Sequence, residues 1–265
     1  MKAHLYHIET ISNLHVGSGE ANEGVIDNLI QRDAITDLPV IHSSSLKGAL
    51  REHFKTSKVV KYIFGSEAND TSCREAGAFR FFDARLLAVP VRSDKVPYLL
   101  ATCPAVLKDY CDTIKLFGLK LTDDEKALLN LNAKKTYVVD GKYNGASIED
   151  LDTCAVYNST LVALSRFLGN SSVLVSDKDF KTLCDNDHLP VIARNYLDNG
   201  ESKNLWYEQV LPRFSRLYFP VFIPDDTMFG EFQSTLTSSL IQIGGNATVG
   251  YGYCKLFLRK MNTND

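Results

Sequence analysis

Ser43-Ser44-Ser45-Leu46-Lys47-Gly48-Ala49-Leu50-Arg51-Glu52-His53-Phe54 opens with three hydroxyls and continues with apolar residues at helical spacing, namely Leu46, Ala49, Leu50 and Phe54. Serines directly ahead of such a run predict caps for the unpaired N–H groups of a helix start. Lys47, Arg51, Lys55 and Lys58 follow one another at helical steps, which gives the predicted helix a basic stripe beside its apolar one. Between residues 43 and 62, five cations face a single carboxylate, Glu52. Hydroxyls and free N–H groups at a positive helix end favour a phosphate. A capped, solvated surface helix carries the same signature.

Upstream, Ala3 to Ile11 alternates in character through Tyr6, Ile8 and Thr10, as a half-buried strand does. A polar, glycine-rich stretch from Gly17 to Gly24 follows. Val25-Ile26 and Leu29-Ile30 then resume an extended pattern before Pro39-Val40-Ile41. Downstream, Phe79 to Val91 reads as one or two strands. Thr122-x-x-Glu125 reads as a capping box for a helix near 122–131, and Ser159 to Leu168 as a short amphipathic helix closed by Gly169-Asn170. Val191 to Leu197 and Leu205 to Leu211 flank the turn-prone Asp198-Asn199-Gly200-Glu201-Ser202 and predict a hairpin. Phe229, Phe232, Leu236 and Leu240 share a helical face, and Tyr253 to Leu258 reads as a last strand. Strands and helices mix without steady βαβ repetition, an α+β pattern.

The length, 265 residues, allows one large domain or two small ones, and 45% hydrophobic with 23% charged residues supports a buried core rather than disorder. The net charge of -3 gives no general attraction to nucleic acid, so any such role needs a local basic seam. The six cysteines form no C-x-x-C pair, and no secretory apolar run opens the chain; reduced thiols in a cytoplasm are expected. No apolar stretch reaches the ~20 residues that span a bilayer, so no membrane role is expected. The histidines make no zinc spacing, and no structural zinc is expected; a G-x-S-x-G elbow is absent too.

Two further constellations carry chemistry. Gly244-Gly245-Asn246-Ala247-Thr248-Val249-Gly250-Tyr251-Gly252 permits positive φ and close approach of another backbone. It lies between a predicted helix and a strand, the reverse of a dinucleotide or P-loop context. It reads either as a tight turn or as a nucleic-acid-contacting loop. His15-Val16-Gly17-Ser18-Gly19 and Gly24-Val25-Ile26-Asp27 place an imidazole and a carboxylate on either side of a short loop. Such a pair suits phosphodiester chemistry, Asp27 also as a divalent-metal ligand; residues of these types equally satisfy turns and caps.

In order along the chain, the His15 and Gly24 blocks, Ile30-Gln31-Arg32-Asp33, Leu38-Pro39-Val40-Ile41, Ser43 to Arg51, Phe64-Gly65, Thr102-Cys103-Pro104, Leu205-Trp206-Tyr207-Glu208-x-x-Leu211-Pro212 and the Gly244 to Gly252 loop resemble RAMP-superfamily CRISPR proteins. The resemblance is to backbone subunits of type III-B Cmr effector complexes. It implies a modified ferredoxin-like, RRM-like core forming a single RAMP domain over 1–265, with a thumb-like hairpin inserted at about 191–211. It further implies copies stacked in a helical filament on one guide RNA, other Cmr subunits as partners, and cleavage of the paired target RNA in antiviral defense.

By this resemblance Ser43, Ser44, Ser45, Lys47, Arg51, Gly244, Gly245, Gly250 and Gly252 hold guide RNA, while base pairing reads the target. Asp27 is implied as the residue required for metal-dependent endoribonuclease activity, with Mg2+ or Mn2+. His15 contacts phosphate or protonates the leaving oxygen, and Glu208 is a weaker catalytic candidate. Tyr251, where relatives often carry a basic residue, stacks on a base or packs in the core. Two other readings stand beside this one: a non-catalytic guide-RNA scaffold, and a guide-processing endoribonuclease.

Overall fold

The computed structural model describes residues 1–19, 24–66, 75–151, 154–224 and 228–260. In chain order the elements are β1 (Lys2–Thr10), β2 (Val40–Ile41), α1 (Ser43–His53), α2 (Val60–Phe64), β3 (Arg80–Phe81), β4 (Ala84–Val91), β5 (Leu99–Thr102), α3 (Pro104–Leu116), α4 (Asp123–Leu128) and β6 (Tyr137–Val138). There follow β7 (Val156–Tyr157), α5 (Val162–Leu168), β8 (Ser172–Leu174), α6 (Asp177–Leu183), β9 (Val191–Asp198), β10 (Glu201–Gln209), β11 (Arg216–Ile223), α7 (Phe229–Ser238), β12 (Ile241–Gln242) and β13 (Tyr253–Leu258). The mixture of helices with parallel and antiparallel strands bears out the α+β expectation at that level. The chain divides into two compact units.

The first unit comprises Met1–Arg85, Pro190–Arg213 and Leu217–Arg259. Its strands lie in the order β12-β13-β1-β11, with β13 antiparallel to β1 from Tyr6↔Leu258 to Thr10↔Cys254. The alternation predicted for β1 decides its burial: Tyr6, Ile8 and Thr10 point into the core. There the Tyr6 ring stacks on Phe219 at 5.6 Å and meets Phe232 of α7 edge-on at 6.0 Å, while Phe54 stacks on Phe232 at 5.5 Å. Each such ring pair contributes roughly 0.5–1.5 kcal/mol beyond its area burial. Leu46 and Leu50 of α1 and Leu236 of α7 complete this layer.

From the same unit β9 and β10 pair antiparallel as a separate two-stranded hairpin. Its two-residue turn, Asn199 (φ 49) and Gly200 (φ 85), has both residues in the left-handed region, the geometry that matches the twist of paired strands.

The second unit is built chiefly from Leu86–Leu189 with Phe214–Arg216. Within it β5 is antiparallel to β4 and parallel to β8, and β6 pairs with β8 and β7. The capping box at α4 forms as predicted: the Glu125 N–H donates to Thr122 Oγ1 (3.2 Å), and the Thr122 N–H donates to Glu125 Oε2 (2.8 Å). The described cysteines are free thiols, Cys154 exposed and Cys103, Cys111, Cys184 and Cys254 buried. Burial pushes the Cys103 and Cys254 thiols up to about 12. Among the described residues no helix is long and apolar enough to cross a membrane.

Several expectations are corrected. Val25-Ile26 and Leu29-Ile30 form no strand; isolated bridges Gly17↔Ile30 and Asn28↔Glu208 hold this segment instead. The helix predicted from Ser43 ends at His53, so Lys55 and Lys58 lie beyond it and the basic stripe is cut to Lys47 and Arg51. The Ser43–Ser45 hydroxyls do not cap it: the N-cap residue is His42, and the Ser43 N–H donates to Asp83 Oδ1 at 2.7 Å. α5 begins at Val162 rather than near Ser159, and α7 ends before Leu240, which is exposed.

Candidate functional site

The segment 13–18 is held on several sides by parts of the chain far away in sequence. Leu14 and Leu211 exchange both backbone hydrogen bonds at 2.8 Å, the Gly245 N–H donates to the His15 carbonyl (2.9 Å), and the Gly252 N–H donates to the Asn13 carbonyl (2.8 Å). The root of the hairpin and the glycine loop are thereby brought to one place. Gly244 (φ +81) is required there, because a Cβ would collide with the His15 carbonyl oxygen.

Asp27 and Asn28 run beside β10. The Asn28 N–H donates to the Tyr207 carbonyl (3.1 Å), the Gln209 N–H to the Asn28 carbonyl (2.9 Å), and the Tyr207 N–H to Asp27 Oδ2 (2.7 Å). Asp27 itself is exposed, so its carboxylate is fixed at one oxygen and open to solvent. His15 is buried at 8% exposure, with Nδ1 2.7 Å from the Gln209 carbonyl oxygen. A carbonyl only accepts, so Nδ1 carries a proton, and Nε2 lies beside Gly17.

Glu208 is the opposite kind of carboxylate. At 6% exposure it accepts from Trp206 Nε1 (2.8 Å), Arg194 Nη1 (3.1 Å) and Asn246 Nδ2 (2.7 Å). The Arg194 guanidinium also lies 5.6 Å from the Trp206 ring and 5.9 Å from the Tyr251 ring. Tyr251 is half-buried against this cation rather than packed in the core. Arg194 and Gln209 carry no signal of their own in the sequence, and Trp206 and Asn246 stand there only inside longer motifs without a role; the one tryptophan of the chain is the available signal.

The start of α1 is tied to the same region through Gln31. Its Oε1 accepts the His42 N–H (2.8 Å), and its Nε2 donates to Ser45 Oγ (2.9 Å) and the Gly17 carbonyl (3.2 Å). Ser43, Ser44 and Lys47 line a cleft of about 590 Å³ with Phe81, Phe82 and Phe222. Arg51 does not join them: its Nη1 donates to the Gly65 carbonyl at 2.7 Å. Of the predicted site residues, His15, Asp27 and the glycine loop meet at the hairpin root, and Ser45 is linked to them by Gln31.

Among the described residues no three His, Cys, Asp or Glu side chains could jointly hold a metal ion. Glu208 is taken up by nitrogen donors and His15 Nδ1 by a carbonyl, which leaves Asp27 as the one solvent-open carboxylate of this region. A lone carboxylate would suit a divalent ion that draws its other ligands from water or a bound phosphate, and does not make a resident all-protein site.

The chain belongs to the RAMP superfamily, with residues 7–255 matching the family. It is 30% identical over 291 residues to the CRISPR system Cmr endoribonuclease Cmr4 of Pyrococcus furiosus, covering 100% of this chain and 98% of that one. Its fold matches a chain of the type III-B Cmr-beta complex bound to cognate target RNA, solved by cryo-EM, with a TM-score of 0.81, 23% identity and 97% of each chain covered. It also matches oligomeric Cmr4 from Pyrococcus furiosus, a crystal structure, with a TM-score of 0.75, 24% identity and 98% of each chain covered.

Proposed function

We propose that the chain is a guide-RNA-binding backbone subunit of a type III-B CRISPR effector, stacked as copies of itself among other Cmr subunits in the cytoplasm, and that it cuts the paired target RNA. The observation that carries this reading is the contrast between the two carboxylates at the hairpin root. Asp27 is exposed and anchored by one backbone N–H, whereas Glu208 is buried and saturated. The full-length identity to a Cmr endoribonuclease supports it. The order β13-β1-β11 with α1 and α7 supports a ferredoxin-like RAMP core with the β9–β10 hairpin as its thumb.

In this mechanism the thumb splays the target backbone so that a ribose 2′-hydroxyl aligns with its neighbouring phosphate. Asp27 accepts the hydroxyl proton while the Tyr207 N–H holds its second oxygen in place. The 2′-oxygen then bonds to phosphorus, and the 5′-oxygen leaves and takes a proton from solvent. His15, with its Nδ1–H committed to Gln209, orients the loop beneath the strand. A Mg2+ or Mn2+ ion, when bound with Asp27 as its protein ligand, supplies positive charge at the phosphate. Ser43, Ser44, Ser45 and Lys47 hold guide phosphates beside the glycine loop, where the N–H groups of Gly245, Gly250 and Gly252 are spent on the His15, Ala247 and Asn13 carbonyls and the bare backbone of Gly244, Gly245, Gly250 and Gly252 lets the strand approach closely; Arg51 serves by bracing α1.

The reading is tested by incubating the assembled ribonucleoprotein with complementary RNA in magnesium or manganese. A ladder of evenly spaced fragments is expected, and none in excess chelator. Intact target with metal would leave only a scaffold, and equal cutting in chelator would remove the ion.

A further inference from the structure

We infer that Glu208 is a positioning residue for target cleavage, fastening the glycine loop to the hairpin root so that Tyr207 presents its N–H to Asp27 in a fixed place. The inference rests on Asp27 being the reactive carboxylate. Glu208 belongs to β10, and the donors on its carboxylate come from β9 (Arg194), β10 (Trp206) and the glycine loop (Asn246), so one side chain ties three segments. A buried carboxylate is tolerable only while its lone pairs are filled, so the three donors and the acceptor hold one another in a single arrangement. Asn246 sits in the left-handed region (φ 63, ψ 30), a conformation asparagine tolerates better than most residues, and its amide is thereby aimed at Glu208.

The residue before Glu208 is the one whose N–H grips Asp27, and the residue after it receives the His15 ring. A small rotation of β10 at Glu208 is therefore passed to both. With three of about four lone-pair positions filled, the carboxylate is in no state to take a substrate proton. Its effect reaches the reaction through geometry.

The test uses assembled particles carrying Glu208→Gln, Asn246→Ala, both, or Asp27→Asn, in single-turnover cleavage at saturating target across pH 5.5 to 8.5. Gln keeps the volume but loses the charge and turns an N–H toward existing donors. We expect Glu208→Gln to lower the rate constant by roughly 10- to 100-fold, the cost of a misplacement near 1 Å. Target affinity should hold within about twofold and the pH profile should keep its shape. Asn246→Ala should reproduce the loss in part, and the double variant should lose no more than Glu208→Gln alone, as for groups acting as one unit. In the purified chain, whose only tryptophan is Trp206, the emission should shift in both single variants.

A wild-type rate in Glu208→Gln, losses that add in the double variant, or a pH profile of altered shape would each overturn the inference. Should Glu208→Gln fail to assemble, Asn246→Ala decides it, since Arg194 and Trp206 still satisfy the carboxylate; wild-type cutting there refutes the latch. Normal cutting by Asp27→Asn would instead overturn the functional reading beneath it.

Discussion

Replacing Asp27 by Asn in the assembled particle is expected to lower the single-turnover rate of target cleavage by about 10²–10⁴-fold, the range a positioned proton acceptor contributes. The substitution isolates charge and basicity from structure. An asparagine Oδ1 still accepts the Tyr207 N–H that Asp27 Oδ2 accepts at 2.7 Å, so the hairpin root keeps its register. Asp27 is exposed, and no buried charge is left unpaired by its loss. Guide content and target binding should therefore match wild type, and the whole effect should fall on the cutting step. A loss below tenfold would mean that another group takes the proton.

The second large effect is on stability. Gly244→Ala is expected to cost about 2–4 kcal/mol of unfolding free energy, because left-handed strain is joined by a collision with the backbone of the segment packed on it. The would-be Cβ meets the carbonyl oxygen and carbon of His15, neither of which is a flexible side-chain end. Its neighbours form an internal control. A Cβ on Gly250 (φ +84) meets nothing within 4 Å, so Gly250→Ala should cost only the ~1–2 kcal/mol of a left-handed alanine. At Gly245 the nearest atom is His15 O at 3.9 Å, an ordinary contact, and Gly245→Ala should be almost neutral. Denaturant unfolding of the three variants should give this order. Equal costs at Gly244 and Gly245 would show that the loop does not press on His15.

What the sequence revealed is what local chemistry decides. β1, the β9–β10 hairpin and β13 were legible because alternation and an Asn-Gly turn are encoded within ten or so residues. The α4 capping box was legible for the same reason. α3 was missed although its signal was present: Pro104 at the first helical position, then Val106, Leu107, Tyr110, Cys111 and Ile114 on one face. The α1 start misled, because serines ahead of an apolar run imply local caps, whereas the cap donor is satisfied by Asp83, 40 residues on. Its end carried no glycine or proline signal; Phe54 turns inward to pack on Phe232.

The site was half legible. Asp27 and His15 stood out as residue types, yet their partners lie 180 and 194 residues away, so no spacing could report that they share the hairpin root. Glu208 looked like a second reactive carboxylate until its three donors were seen. For Arg51, an RNA contact by the resemblance, the sequence held no sign that its Nη1 donates to the Gly65 carbonyl.

The central claim is that an RNA strand lies along the seam formed by the hairpin root and the glycine loop. Ultraviolet cross-linking of the assembled particle, with cross-linked peptides sequenced by mass spectrometry, tests this most directly. Adducts are expected at Trp206, Tyr207 and Tyr251, and cross-links confined to other surfaces, or none at all, would contradict it.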